Sequence, residues 1–86
     1  MPMPEQRIGK VLHYWPRVGA AQVELESTPL HLGDTVHIRG HGHDFTQSVE
    51  SLEIDHVSKQ EGWPGEFVAL ATAQPVHEDD EVWLVR

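Results

Sequence analysis

The sequence predicts an all-β domain, folded as a six-stranded antiparallel closed barrel, and three observations lead to that fold class. Short segments alternate apolar and polar residues, which is the pattern of strands with one buried face. Turn-forming residues separate these segments about every ten positions, as in small barrels and sandwiches. No segment sustains the apolar spacing of an amphipathic helix. Closing the sheet removes its exposed edges, so a barrel is favoured over an open sandwich.

The first two predicted strands form an antiparallel hairpin. In residues 7–14 the inward residues Ile8 and Val11 are three positions apart, which breaks strict alternation. Gly9 between them is therefore the predicted site of a β-bulge. Residues 20–26 alternate without interruption, and the short turn between the two segments predicts the hairpin. The inward residues of the second strand are Ala21, Val23 and Leu25.

The third predicted strand, residues 34–40, follows a tight turn. Gly33 supplies the permissive backbone that such a turn requires, and the side chain of Asp34 can bond back to nearby amides. Val36 and Ile38 share the buried face of this strand. Its outward residues are Thr35, His37 and Arg39.

The last three predicted strands cover residues 45–57, 66–72 and 81–85. The first of them is out of phase, so a second bulge is predicted near residues 50–51. The next is almost continuously apolar and places Phe67 in the core. Pro64 and Gly65 immediately before it predict a type II turn.

Length and composition restrict the class of protein. The 86 residues predict one domain, residues 7–86, after a flexible tail at residues 1–6. The absence of cysteine excludes disulfides and thiolate metal sites. The formal charge of −8, from 14 acidic and 6 basic residues, disfavours attraction to phosphate backbones. No apolar run is typical of a signal peptide or a membrane span, so a cytoplasmic location is expected.

Four short motifs occur in a recognisable order: IGKV at residues 8–11, PLHLGDTVHIRG at 29–40, TQSVESLEI at 46–54 and PGEFVAL at 64–70. Together they resemble the second domain of translational GTPases of the elongation factor Tu type. They resemble still more the short elongation-factor-like proteins, and also the C-terminal barrel of collagenase-type peptidases. The resemblance implies a six-stranded Greek-key barrel that acts as a non-catalytic binding module.

The resemblance further implies a protein or ribonucleoprotein partner around translation, and the net charge disfavours direct RNA contact. The alternative is an accessory barrel that docks on a collagenase-type peptidase or an RNA-modifying enzyme. The phosphate-binding motif GxxxxGK[ST] does not occur in the sequence, so neither a nucleotide nor any other cofactor is expected. The acidic run HEDD at residues 77–80 stands where translational GTPases usually carry a basic residue and a glycine, which weakens transfer of an RNA-facing role.

One candidate cluster falls at alternate positions: His37, Arg39, His41 and His43. A straight strand would place these side chains on one face, where imidazoles can bind zinc, nickel or copper. The glycines on both sides of His41 predict a turn instead, so the histidines are interpreted as solvated and no metal ligand is assigned. No catalytic residue is assigned either. A hydrolytic site built on Asp44 and the nearby hydroxyls would need an oxyanion hole and a cleft, and the sequence indicates neither.

Trp15 and Trp63 lie beside prolines in predicted turns. They either form an exposed platform for a partner, on which a base could stack, or cover the ends of the barrel. The predicted partner-binding residues are Trp15, Arg39, His41, His43 and Trp63.

Overall fold

The computed structural model describes residues 4–40 and 42–85, with only the backbone described at His43. All regular structure in these residues is β, which confirms the predicted all-β class. The strands are β1 (Glu5–Trp15), β2 (Ala20–Leu25), β3 (Leu30–His31), β4 (Thr35–Gly40), β5 (His43–Ser48), β6 (Leu52–Ile54), β7 (Val57–Ser58), β8 (Glu61–Gly62), β9 (Phe67–Ala71) and β10 (Glu81–Val85).

The described strands form an antiparallel sheet in the order β5-β4-β10-β1-β2-β9-β6-β7, with β3 and β8 paired separately. The prediction of a six-stranded closed Greek-key barrel is therefore wrong in two respects. The main sheet has eight strands, and its edge strands β5 and β7 do not pair with each other within residues 4–40 and 42–85. The predicted strand at residues 45–57 is divided into β5, β6 and β7, because the chain leaves the strand conformation at residues 49–51 and turns at residues 55–56.

A side chain, and not a backbone ladder, connects the edge strand β5 with the end of β9. The amide nitrogen Nε2 of Gln47 donates to the carbonyl oxygen of Ala71 at 2.7 Å. The amide oxygen Oε1 of Gln47 accepts from the backbone nitrogen of Ala73 at 2.6 Å. The sheet thus curves far enough for a side chain of β5 to reach the end of β9, although the two strands do not pair.

The predicted bulge at Gly9 is confirmed. Arg7 pairs with Trp83 in β10, whereas Gly9 pairs with the adjacent Val82, so the register shifts between them. A Cβ atom at position 9 would lie 2.1 Å from the carbonyl oxygen of Glu24, so only glycine fits against β2. The extra residue lets β1 direct both Ile8 and Val11 into the core.

The two predicted turns are also present. Gly33 has φ of 89°, and Asp34 accepts a bond from the backbone nitrogen of His31 at 2.9 Å through its side-chain oxygen Oδ2. Gly65 has φ of 93°, and the nitrogen of Glu66 donates to the carbonyl of Trp63 at 3.0 Å, as in a type II turn.

The core contains the aliphatic residues that the alternation predicts to point inward. The buried apolar residues are Ile8, Val11, Ala21, Val23, Leu25, Leu30, Val36, Ile38, Val49, Leu52, Val68, Leu70, Val76, Val82 and Leu84. The prediction that Phe67 is a core residue is wrong, since its side chain is 51% exposed. Val68 and Leu70 occupy the inward positions of β9, and Phe67 therefore faces outward.

A close contact between Gly40 and Asp80 links the end of β4 to the loop before β10. Asp80 is 1% exposed, and its oxygen Oδ2 accepts from the backbone nitrogen of His77 at 2.8 Å. A Cβ atom at position 40 would lie 1.7 Å from the other oxygen, Oδ1. Glycine at position 40 is therefore required by the position of the Asp80 carboxylate.

We predict that Gly40→Ala lowers the free energy of unfolding by about 1–3 kcal/mol, because the new methyl group overlaps the buried carboxylate. Urea denaturation of the wild type, Gly40→Ala, Asp80→Ala and the double variant measures the coupling. The double variant should be more stable than the sum of the two single losses predicts, since Asp80→Ala removes the overlapping group. Strict additivity would show that the two residues do not constrain each other.

Candidate functional site

The outer surface carries two contrasting regions, of which the first is an ionic cluster on β1, β10, β4 and β5. At its centre the ring of His37 is only 14% exposed. Its nitrogen Nδ1 lies 2.8 Å from Oε1 of Glu5, and its nitrogen Nε2 bonds to Oδ1 of Asp44. Since ionised carboxylates only accept hydrogen bonds, a doubly protonated imidazolium satisfies both contacts.

This geometry shifts the ionisation of two groups in the cluster. The hydrogen bond that His37 donates to Asp44, assisted by its bond to Glu5 and by the charge of Glu5, raises the pKa of His37 above its usual value. The same contact lowers the pKa of Asp44, with a further contribution from the charge of Arg39. When it is protonated, His37 joins β4 to β1 and β5 through these two contacts.

The two arginines of the ionic cluster are also engaged within the fold. Arg7 contacts Oε1 of Glu26 at 2.5 Å and Oε2 of Glu81 at 3.4 Å, and these carboxylates raise its pKa. The guanidinium of Arg39 lies 5.6 Å from the ring centroid of Trp83. Arg7 is thus paired with carboxylates, whereas Arg39 lies over an aromatic ring and forms no ion pair among the described residues.

The described side chains contain no group of three histidines or carboxylates that could hold a metal ion. Both ring nitrogens of His37 are already engaged by carboxylates. His41 lies outside the described residues, and only the backbone of His43 is described, in β5. The histidine face that a straight strand would build is interrupted after Gly40, where β4 ends.

The second region is an open groove of about 1180 Å³ over β2, β9 and β6, called here the β9 groove. The turn at residues 15–18 forms one wall and the turn at residues 54–56 forms another. Its lining residues are Trp15, Pro16, Arg17, Val18, Ala20, Gln22, Ser51, Glu53, Ile54, Asp55, His56, Gly65, Glu66, Phe67, Val68, Ala69, Leu70 and Ala71.

Large apolar side chains stand exposed at the rim of this groove. Trp15 is 38% exposed, Val18 73% and Phe67 51%. The ring of Trp15 is held edge-on against the ring of His13, with the centroids 5.1 Å apart. Its carbonyl oxygen accepts from the nitrogen of Gly19 at 2.9 Å, which fixes the turn. The apolar rim is therefore positioned by the fold before any partner binds.

Sequence reasoning missed most of the β9 groove. The wall at residues 54–56 depends on left-handed backbone at Asp55 and His56, with φ of 53° and 64°. Neither residue is glycine, so the sequence carries no strong signal for this hairpin turn. The outward orientation of Phe67 follows from the phase of β9, which a run of consecutive apolar residues conceals.

The predicted partner-binding residues are not gathered on one surface. Trp15 lines the β9 groove, while Trp63 is 53% exposed at the turn before β9 but outside the lining. Arg39 belongs to the ionic cluster on β4, and the strands β10, β1 and β2 separate β4 from β9. A binding role for Trp15, Arg39, His41, His43 and Trp63 stays a prediction.

Comparison with known proteins finds no family model that matches the chain. The chain is 27% identical over 77 residues to a collagenase of Porphyromonas gingivalis, covering 88% of this chain and 21% of that protein. A second collagenase, from strain W83 of the same organism, matches at 27% over 77 residues with 19% of its length covered. The chain thus spans about a fifth of the length of the curated relatives it matches.

Two solved structures share the fold with a TM-score of 0.83. Both are the C-terminal domain of a Geobacillus thermoleovorans protein assigned as a U32 peptidase. The selenomethionine variant is 24% identical, with 90% of this chain and 96% of that chain covered. The other is 23% identical, with 94% and 92% covered. At these identities the structural likeness establishes the fold.

These comparisons separate the two resemblances that the sequence suggests. The similarity to collagenases and to the C-terminal domain of a U32-type protein agrees with the resemblance to collagenase-type peptidases. The elongation-factor resemblance gains no support from them. Within the residues that the structure describes, no helix is long and apolar enough to cross a bilayer.

We predict that His37→Gln destabilises the fold more at about pH 5.5 than at about pH 9. A group whose pKa is raised on folding contributes stability that is complete below its unfolded pKa, here 6.5, and is lost as the pH rises through the folded value. Asp44 remains ionised at the lower pH because its own pKa is depressed.

Urea unfolding of wild type and variant at both pH values measures this difference. His13→Gln is the matched control, because His13 is half-exposed and lies 3.9 Å from its partner Glu78. A His37→Gln loss that is equal at both pH values would contradict a charged His37 in the folded protein.

Proposed function

We propose that this domain is a non-catalytic accessory module that docks on the catalytic part of a collagenase-type, U32-like peptidase. One observation carries the proposal: the fold matches the C-terminal domain of a U32-type protein almost end to end, with a TM-score of 0.83 over 90% of this chain and 96% of that domain. The chain therefore matches nearly the whole length of that C-terminal domain.

The similarity to collagenases supports the same proposal from the sequence. Identity of 27% extends over 77 residues, 88% of this chain, yet covers only 21% of the collagenase. The matched region is thus a minor part of a larger protein, as expected for a module that accompanies a catalytic domain.

The non-catalytic role is supported by the chemistry of the ionic cluster. The imidazole of His37 is bonded on both sides by carboxylates, Glu5 and Asp44, so neither ring nitrogen is available to activate a nucleophile. The chain also has no cysteine, which excludes a thiolate nucleophile.

A role around translation is not proposed. The comparisons give it no support, and the two arginines of the ionic cluster already have partners within the fold. Arg7 is held by Glu26 and Glu81, and Arg39 lies over Trp83. The net charge of −8 further opposes approach to RNA.

The test is affinity capture from an extract of the native organism, with the tagged domain as bait and quantitative mass spectrometry as the measurement. We expect enrichment of a protein with a collagenase-type or U32-type catalytic domain over a control bait that is a tagged unrelated domain of similar net charge. Enrichment of ribosomal proteins or translation factors in its place would contradict the proposal.

A further inference from the structure

We propose that the β9 groove is the docking surface of this domain, and that its occupant is a cationic segment of the partner protein bearing apolar side chains. This inference rests on the proposed function, in which the partner is the peptidase catalytic domain. It adds the surface that makes the contact and the chemistry of the segment that fills it.

Exposed hydrophobic residues are concentrated at the β9 groove. The structure describes six large apolar side chains that face solvent, and three of them, Trp15, Val18 and Phe67, line this one groove. Clustered exposed hydrophobics in a concave surface are typical of a protein interaction site, whereas single ones are ordinary.

Small side chains form much of the floor of the groove between these large ones. Ala20 pairs with Ala71 across β2 and β9, and Ala69 pairs with both Gln22 and Glu53. Small side chains allow the backbone of a partner to approach the sheet closely. At about 3.4 Å per residue, the five residues of β9 give a floor about 14–17 Å long, enough for an extended segment of four or five residues.

The charge of the groove selects the chemistry of the occupant. Its lining contains three carboxylates, Glu53, Asp55 and Glu66, against one arginine and one histidine, Arg17 and His56. Within the described residues neither Glu53 nor Asp55 forms an ion pair, in contrast to the carboxylates of the ionic cluster. An acidic groove on a chain of charge −8 attracts lysine or arginine and repels an acidic segment.

Trp63 provides a matched control position just outside the groove. Trp63 and Phe67 are almost equally exposed, 53% and 51%, and lie at the same end of β9. Only Phe67 lines the groove. Phe67→Thr and Trp63→Thr therefore each remove an aromatic ring of similar fractional exposure, one inside the proposed surface and one outside it.

The first experiment titrates the ¹⁵N-labelled domain with a synthetic decapeptide of lysine and leucine and follows amide chemical shifts. We expect shifts at Ala69, Ala71 and Asp55, and Phe67→Thr should raise the Kd about tenfold, the loss of a good apolar anchor. Trp63→Thr should change the Kd less than about twofold, within the range of a peripheral contact. Matched peptides of lysine with serine, or of glutamate with leucine, should bind far more weakly.

Shifts centred on β4 and β10, equal weakening by the two variants, or equal binding of the lysine–serine peptide would overturn the inference. If Phe67→Thr fails to give a folded spectrum, Val18→Ser takes its place, because Val18 lies in a turn and its side chain is 73% exposed.

The second experiment repeats the affinity capture with the Phe67→Thr and Trp63→Thr baits. Loss of the peptidase with Phe67→Thr alone supports both proposals. Equal capture by both baits overturns the groove as the docking surface and leaves the proposed function standing. If no bait captures a peptidase while the lysine–leucine peptide still binds at the groove, the proposed function fails and the groove remains a site for cationic segments.

Discussion

We expect the curvature of the sheet to depend on the amide of Gln47. This side chain extends from the edge strand β5 to the end of β9, where it donates to the carbonyl of Ala71 and accepts from the nitrogen of Ala73. One amide thus satisfies two backbone groups that would be paired by a strand ladder in a closed barrel. Ala71 also belongs to the floor of the β9 groove. The hydrogen bond from Gln47 therefore helps to position the floor of the candidate site.

Much of the fold was predictable from local chemistry. The positions of β2 and β4 follow from the alternation of apolar residues, and the position of β9 follows from a continuous apolar run after a predicted turn. The bulge at Gly9 follows from an interruption of the alternation in β1. The sequence did not reveal whether the edge strands pair with each other and close the sheet. Strands of two residues, such as β3 and β8, are too short to show a period, and an open sheet bridged by Gln47 carries the same inward pattern as a closed one.

The candidate site was far less predictable, because it depends on which outward residues the topology brings together. Trp15 was identified from its place beside a proline in a turn, and it does line the groove. Glu53, Asp55 and Phe67 form no recognisable binding-site motif in the sequence. They line one groove only because β6 pairs with β9. The sequence predicts a solvated His37, whereas in the fold Glu5 contacts it from a strand that is distant in sequence and two places away in the sheet.

Hydrogen exchange at the amide of Ala73 tests the role of Gln47 most directly, measured by NMR in the wild type, Gln47→Leu and the control Thr46→Ala. We predict that Gln47→Leu removes the protection of Ala73 and lowers the free energy of unfolding by about 1–3 kcal/mol, because two hydrogen bonds are lost. Thr46→Ala, at an exposed neighbouring position, should leave both quantities unchanged. Full protection of Ala73 in Gln47→Leu would show that the sheet holds its curvature without this side chain.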